Sequence, residues 1–596
     1  MPDTAAGAPP AGGGQAHGGG LLAALLAEHG VRYIFGLPGG QTLALYDGVL
    51  DRPGMRNVLL RDERSAAYAA DAYARLTGKV GVCDATVGPG AAKLPSGLGE
   101  ALGASVPVVA LVSDLPARLA PHRYRSAASQ ALDQQALLAP VTKWQATVPD
   151  EQTLAPLVRQ AFREAASGRP GPVALFLPQD VLDGPAKDQP GMPASERFGR
   201  FPAFRPGPEP ADVAAAAAVL RGAARPFILA GGGVLHSGAG DELTALAEQL
   251  SAAVGTTLTG KGAIAETHPL SVGVTGTMGT AAAAAALAEA DVVLLAGCKA
   301  SGGATYGWTL PRQDQLVVQV DVDPAELGRA FGWAVPVLAD ARAGLRALHA
   351  ALTADTAETA DTADSAAAAD REPWRQRVAG LTAAWRAERD RERASDAVPI
   401  APQRVLAAIE QALGADGILI CDASLASGWG GVYLEQREPG RRVLAPRGQA
   451  GLGYGVPAAI GASYARPEGR VVVLTGDGAL GYAAGELATL AEQRLPVTVV
   501  VLNNRSLGWI RWYRRINFGR GWEGDDFSDV AFADVARAFG LAAERVTDPG
   551  RLTGALAAAV AAGGPSLVDV TTEPWQTPIT AHRRAVEQQR PTGYGG

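Results

Sequence analysis

At 596 residues the chain exceeds what one hydrophobic core supports, and its length points to about three or four domains. Hydrophobic residues at 47% and charged residues at 19% exclude a disordered or membrane-embedded chain. A formal net charge of -7 supplies no attraction to nucleic acid or an anionic membrane, so neither is expected as a partner.

Residues 1–20, MPDTAAGAPPAGGGQAHGGG, lack a basic stretch leading into an apolar core and read as a disordered tail rather than a signal peptide. From 21 to 184, β-like runs (VRYIFG, VGVCDAT, VPVVALVS, PVALFLP) alternate with helical stretches such as ERSAAYAADAYARLTG. This is the α/β pattern of a parallel sheet covered by helices. The Pro- and Gly-rich GPAKDQPGMPASERFGRFPAFRPGPEP reads as a linker. A second α/β unit spans 209–350, with strands expected at FILAGGG, VVLLAGC and LVVQVDVD. Residues 351–372 are acidic, low in complexity and poor in large apolar side chains, so they are expected to form a linker. A third α/β unit spans 400–575, with strands at GILICD, RVVVLT, VTVVVLN and SLVDVT, and the residues from Pro574 onward read as irregular.

Cys83, Cys298 and Cys421 form no CxxC pair and sit near no histidine cluster, so neither a disulfide framework nor a zinc site is expected. Their scatter fits a reducing compartment, and no stretch approaches the roughly 18 apolar residues of a membrane span; the expected location is the cytoplasm.

In the third unit RVVVLT, a GDG turn, the helix GELATLAEQR and VTVVVL make one βαβ unit. Its parallel strands bring Asp477 and Asn504 to the carboxyl edge of one sheet, where such sheets bind ligands. A carboxylate and a carboxamide oxygen there suit magnesium or calcium, and magnesium usually shares its shell with phosphate. The glycines let backbone N–H groups approach an anion. GDG also fits an ordinary strand-to-helix turn, with the Asn pair as the loop after the next strand.

GDG, roughly two dozen residues and then NN is the motif of thiamine diphosphate enzymes, and the chain resembles their acetolactate synthase group from about residue 21 to 575. YIFGLPGGQTLALYD, ERSAAYAADAYARLTGKVGVCDATVGPGAAKLPSGLGEA, GKGAIAETHPLSVG and GLGYGVPAAIGASYARPEGRVVVLTGDG carry the likeness. The resemblance implies three α/β domains with parallel sheets: pyrimidine-binding, central Rossmann-like and diphosphate-binding. It makes Asp477 and Asn504 side-chain ligands of Mg2+, with the Ser506 carbonyl as third protein ligand. The diphosphate of thiamine diphosphate would lie against Gly476, Asp477, Gly478, Ala479 and Leu480, while Asn503 keeps a structural or diphosphate-side role.

The resemblance also makes Glu63 the acid that contacts the cofactor's pyrimidine ring, and Leu452 the apolar wedge beneath the bent cofactor, where acetolactate synthases usually carry methionine. Without it, Glu63 reads as a solvated first-turn carboxylate and Leu452 as a core leucine. Glu63 and Asp477 fall in different domains, so the family pattern of sites shared between subunits implies a homodimer or homotetramer; a regulatory subunit stays open.

Several runs depart from the family. DASLASGW replaces a GQHQM-like run, which leaves Ser424 and Ser427 to contact the diphosphate. A Phe-Gln pair becomes Ser129-Gln130, keeping only the Gln130 amide as a catalytic donor, and a Gly-Gln becomes Ser113-Asp114. Tyr513 stands where a substrate-selecting tryptophan is usual, in a stretch holding Trp509, Trp512 and Trp522. Glycines 231–233 and VVQVDVDPAELGR resemble FAD-binding members, but KASGGATYGW replaces an FDDRVTG-like run, which leaves FAD open. The implied activity is decarboxylation of a 2-oxo acid such as pyruvate with carboligation of the enamine to a second carbonyl. The alternatives are simple decarboxylation to an aldehyde, a flavin oxidase, and a noncatalytic thiamine- or nucleotide-binding subunit.

Overall fold

A computed structural model describes residues 17–186, 195–358, 371–518 and 523–579. Three sheets of six parallel strands follow one another along the chain. The first holds β1 (Tyr33–Gly36), β2 (Arg56–Leu59), β3 (Gly81–Ala85), β4 (Val108–Asp114), β5 (Trp144–Thr147) and β6 (Val173–Pro178), in the order β2-β1-β3-β4-β6-β5. The second holds β7 (Pro226–Ala230), β8 (Ala253–Thr256), β9 (Ser271–Val274), β10 (Val292–Ala296), β11 (Leu316–Asp321) and β12 (Val335–Leu338), ordered β12-β11-β10-β7-β8-β9. The third holds β13 (Ile418–Cys421), β14 (Val443–Leu444), β15 (Val471–Gly476), β16 (Val497–Asn503), β17 (Ala542–Val546) and β18 (Ser566–Thr571), ordered β14-β13-β15-β16-β18-β17.

Central strands such as β4, β6 and β16 are buried along their whole length, because helices cover both faces of a parallel sheet. In each sheet the chain reverses its direction of growth between two neighbouring strands, β1 and β3, β7 and β10, and β13 and β15, and in the first and third it turns back again from the edge strand to β6 and β18. The crevices at these points are where α/β sheets take ligands.

Numbered from its own first strand, the third sheet repeats the order of the first. The equivalent helices of these two domains, Glu63–Thr77 and Gly455–Ala465, pack against each other. Small residues permit the approach: a Cβ on Gly461 would stand 2.0 Å from the Ala69 carbonyl oxygen. Beside this crossing, buried Arg75 pairs with Asp71 at 2.9 Å and Glu100 at 3.1 Å, and the Tyr454 hydroxyl donates to Asp71 at 2.9 Å. Glu100 also accepts the backbone N–H groups of Arg447, Gly448, Gln449 and Ala450 at 2.8–3.1 Å, so one buried carboxylate grips a loop of the third domain.

Two boundaries differ from the sequence reading. The tail expected over 1–20 ends sooner, because a helix runs Gly18–Glu28 with His17 Nδ1 accepting the Gly20 N–H at 3.1 Å; residues 1–16 lie outside the described residues. The linker expected at 351–372 is helical at its start, since the helix Ala341–Glu358 continues into it; 359–370 lie outside the described residues. After it comes a helix, Glu372–Arg393, that composition did not announce. Its buried stripe is Trp374, Val378, Thr382 and Arg389, only two of them large and apolar. Part of the first linker is packed rather than free, with Phe201 and Ala203 buried and the Phe201 N–H donating to the Gly78 carbonyl.

Candidate active site

The register of β15 on β16 pairs Gly476 with Leu502, which sets Asp477 and Asn504 just beyond two adjoining strand ends. GDG is not a turn: Gly476 is the N-cap, and a helix begins at once over Asp477–Ala483. Asp477 is 6% exposed, and its Oδ1 accepts the Gly478 N–H at 2.7 Å. Burial pushes its carboxyl up to about 6, against the pull of nearby backbone N–H groups. Its Oδ2 is buried with no hydrogen-bond partner. Asn504 Oδ1 accepts from the Ser506 backbone at 3.2 Å and from its hydroxyl at 3.4 Å. An orphaned carboxylate oxygen beside an amide oxygen fits a hard cation with oxygen ligands. A Cβ on Gly476 or Gly481 would meet nothing within 4 Å, so the space before this helix start is open. Asn503 turns the other way, its Nδ2 donating to Asp569 Oδ1 at 3.0 Å and to the Val530 carbonyl at 3.2 Å, which gives it a structural role.

Asp422, at the end of β13, organises the other side. Its Oδ1 accepts the N–H of Ala423 at 2.8 Å and of Gly453 at 3.0 Å, and its Oδ2 that of Gly455 at 2.9 Å. Burial holds its carboxyl above the usual range, and these donors pull it down. Half-buried Leu452 therefore sits on a pinned turn, with Gly453 at φ 85° and a Cβ on Gly451 only 2.7 Å from the Tyr68 hydroxyl. Ser424 precedes the helix Leu425–Tyr433 at φ 66°, with its side chain free of the cap. Ser427 is fully buried and its hydroxyl donates to the Asp422 carbonyl at 2.6 Å. The diphosphate contact expected of Ser427 is thus not offered, because its proton is committed inside the domain.

Glu63 opens the helix Glu63–Thr77, with Asp62 as N-cap accepting the Arg64 N–H at 2.8 Å. At 4% exposure Glu63 is not a solvated first-turn carboxylate. Its Oε1 lies against Gly90, where a Cβ would come within 2.8 Å, and Lys93 Nζ is 3.4 Å from Oε2. Nearby, the Thr86 hydroxyl donates to Gln41 Oε1 at 3.0 Å and Gln41 Nε2 donates to Gln130 Oε1 at 3.2 Å. Gln130 is exposed at φ 62°, and its carbonyl oxygen lies 2.1 Å from where a Gly88 Cβ would be. Ser113 and Asp114 serve packing: the Ser113 hydroxyl accepts the Val87 N–H at 3.0 Å, and Asp114 takes Arg123 in a bidentate pair at 2.8 and 3.0 Å. Gln41, Lys93 and Asp422 carried no sequence signal of their own. Among the described residues no hydrogen bond or ion pair joins Glu63 to Asp477.

Sequence profiles of a thiamine pyrophosphate enzyme match in three places: its N-terminal TPP binding domain at 16–137, its central domain at 213–348 and its C-terminal TPP binding domain at 422–570. The chain belongs to the thiamine pyrophosphate enzyme family. It is 34% identical to a probable acetolactate synthase large subunit of Methanocaldococcus jannaschii, over 93% of this chain and 91% of that protein. It is 35% identical to the acetolactate synthase large subunit of Parasynechococcus marenigrum (93% and 87%), and 31% identical to an acetolactate synthase of Mycobacterium bovis (88% and 83%). The three sheets correspond to the family's N-terminal, central and C-terminal domains.

In the central domain the β7 and β10 ends open into a cavity of about 440 Å3. A Cβ on Gly231 would lie 2.2 Å from the Gly297 carbonyl oxygen, so bare backbone forms this wall. Arg169 of the first domain and Arg447 and Trp509 of the third reach its rim. The rings of Trp509 and Trp512, tilted by 50° with centroids 6.0 Å apart, lie on the helix Gly508–Phe518, which also carries Tyr513; Trp522 lies outside the described residues. No described helix is long and apolar enough to cross a membrane.

Proposed function

We propose that the protein uses thiamine diphosphate and Mg2+ to decarboxylate a 2-oxo acid such as pyruvate and to join the remaining two-carbon unit to a second carbonyl, as an acetolactate synthase does. The observation that carries this reading is the orphaned Asp477 Oδ2 beside Asn504, at the edge of a sheet that ends in an open helix start. Bound thiamine diphosphate supplies the carbon nucleophile that such a decarboxylation needs.

The chain's own residues divide the remaining work. Asp477, Asn504 and the Ser506 carbonyl hold the cation, and the start of the helix Asp477–Ala483 faces the diphosphate with the backbone N–H groups that Asp477 does not take. Leu452, fixed by Asp422, supports the bend of the cofactor. Glu63 holds the proton it shares with the pyrimidine ring, and the Gln130 amide, steadied by Gln41, faces the substrate. Glu63 of one subunit serves Asp477 of another, so the working unit is a homodimer or a homotetramer. The central cavity, with its backbone wall at the strand switch, supports FAD as a further ligand.

The test is to supply purified protein with thiamine diphosphate, Mg2+ and pyruvate, with and without an acceptor 2-oxo acid, and to identify the products. Acetohydroxy acids are expected; aldehyde alone would assign simple decarboxylation, and release of no carbon dioxide across a panel of 2-oxo acids would refute catalysis.

A further inference from the structure

Lys93 closes the short turn Ala91–Lys93 that leads from the Gly88 loop into the helix Leu94–Ala104. Its Nζ lies 3.4 Å from Glu63 Oε2 and 3.4 Å from Asp62 Oδ2. Burial works against the ammonium, but Asp62 and Glu63 outweigh it and hold Lys93 above the ordinary lysine range.

The other cations around Glu63 are committed elsewhere, whereas buried Asp84 is near enough for the charge of Glu63 to help raise its carboxyl. Arg64, next on the same helix, turns its guanidinium to the Tyr482 carbonyl at 2.7 Å. Arg61 pairs with Glu492, and its N–H donates to Glu486 at 3.0 Å. From β3, buried Asp84 takes the Tyr46 hydroxyl at 3.0 Å. Among the described residues Lys93 is the one cation within ion-pair distance of Glu63.

Resting on the function proposed above, we infer that Lys93 is a positioning residue for Glu63: its ammonium orients the carboxylate and sets a positive charge beside the proton that Glu63 shares with the cofactor's pyrimidine ring. The ammonium acts on the Glu63–ring pair by Coulomb's law from 3.4 Å, and a neutral side chain there would not. Arginine keeps this charge and glutamine removes it.

The test is a pH titration of the circular dichroism band of the bound cofactor's imino tautomer, in protein loaded with thiamine diphosphate and Mg2+. Lys93→Gln is expected to raise the midpoint by about one pH unit, and Lys93→Arg to return it to the wild-type position. The acid limb of kcat should move with it, while cofactor affinity stays within about threefold. A Lys93→Gln midpoint equal to wild type overturns the inference. So does loss of cofactor binding in Lys93→Gln with binding kept in Glu63→Gln, which would make the role of Lys93 structural. Wild-type protein that binds no thiamine diphosphate would refute the proposed function instead.

Discussion

Asp422 and Gly453 are joined by a 3.0 Å hydrogen bond in which a fully buried carboxylate accepts the N–H of the residue that follows Leu452. Asp422→Ala strips the Gly453 and Gly455 N–H groups of their acceptor, and a buried orphan donor costs about 1–3 kcal/mol. Chemical denaturation should show a loss of about 3 kcal/mol. Fluorescence titration should show weaker thiamine diphosphate binding, because the leucine turn is no longer held. Asp422→Asn keeps one acceptor oxygen and should fall between.

Ser427→Ala removes one hydroxyl bond to the Asp422 carbonyl and nothing that faces the helix start of Asp477. Stability should fall by about 1 kcal/mol, with cofactor affinity unchanged by titration.

The two asparagines should separate cleanly. Asn503→Ala takes the donor from buried Asp569 and should cost about 1–3 kcal/mol in denaturation, with magnesium dependence intact. Asn504→Ala should raise the Mg2+ concentration for half-maximal cofactor binding by about tenfold or more while leaving the apo melting temperature near wild type. Stripping Mg2+ with a chelator should release the cofactor from the wild-type protein.

Asp84 is fully buried, and burial, helped by the charge of Glu63 and opposed by the Tyr46 hydrogen bond, pushes its carboxyl up to about 8. An unfolded aspartate gives up its proton near pH 4, so between that value and 8 the folded state binds the extra proton. Stability from this group is therefore present at low pH and lost as pH rises toward 8, at up to about 1.4 kcal/mol per unit. Asp84→Asn, neutral throughout, should flatten that slope in melting curves taken from mildly acidic to mildly alkaline pH.

Gly461 meets the Ala69 carbonyl where the two equivalent helices cross. A methyl group there cannot fit without separating the helices, so Gly461→Ala should cost about 3 kcal/mol, and Gly461→Leu should abolish soluble expression at 37 °C. Gly554→Ala, inside the helix Pro549–Ala561 with open space at its Cβ position, is the matched control and should raise stability by about 0.5–1 kcal/mol.

The central strands are legible in the sequence because burial on both faces turns them into apolar runs, as in VALFLP and VTVVVLN. The edge strands β2, β5, β12 and β17 are not, since half-exposed backbone pairs without such a run. β14 is only two residues long, and β8 (AVGT) and β9 (SVGV) are four-residue strands each interrupted by a glycine. Asp477 and Asn504 announce themselves because they end two strands of one βαβ unit. Asp422 gains its role from the turn that folds over it, and Lys93 from a loop brought to a helix start. Ser427 shows the converse: a hydroxyl in the right stretch of sequence that the helix Leu425–Tyr433 turns inward.

The loop that carries Leu452 is fastened at both ends by acids of different domains, Glu100 of the first gripping 447–450 and Asp422 of the third gripping Gly453 and Gly455. Arg447, at one end of this span, also lines the central cavity. A taut span of this kind transmits displacement along its length. Any shift of the first domain that tugs on Glu100 moves the cavity rim and the leucine turn together, so the two recesses share one mechanical element despite belonging to different sheets.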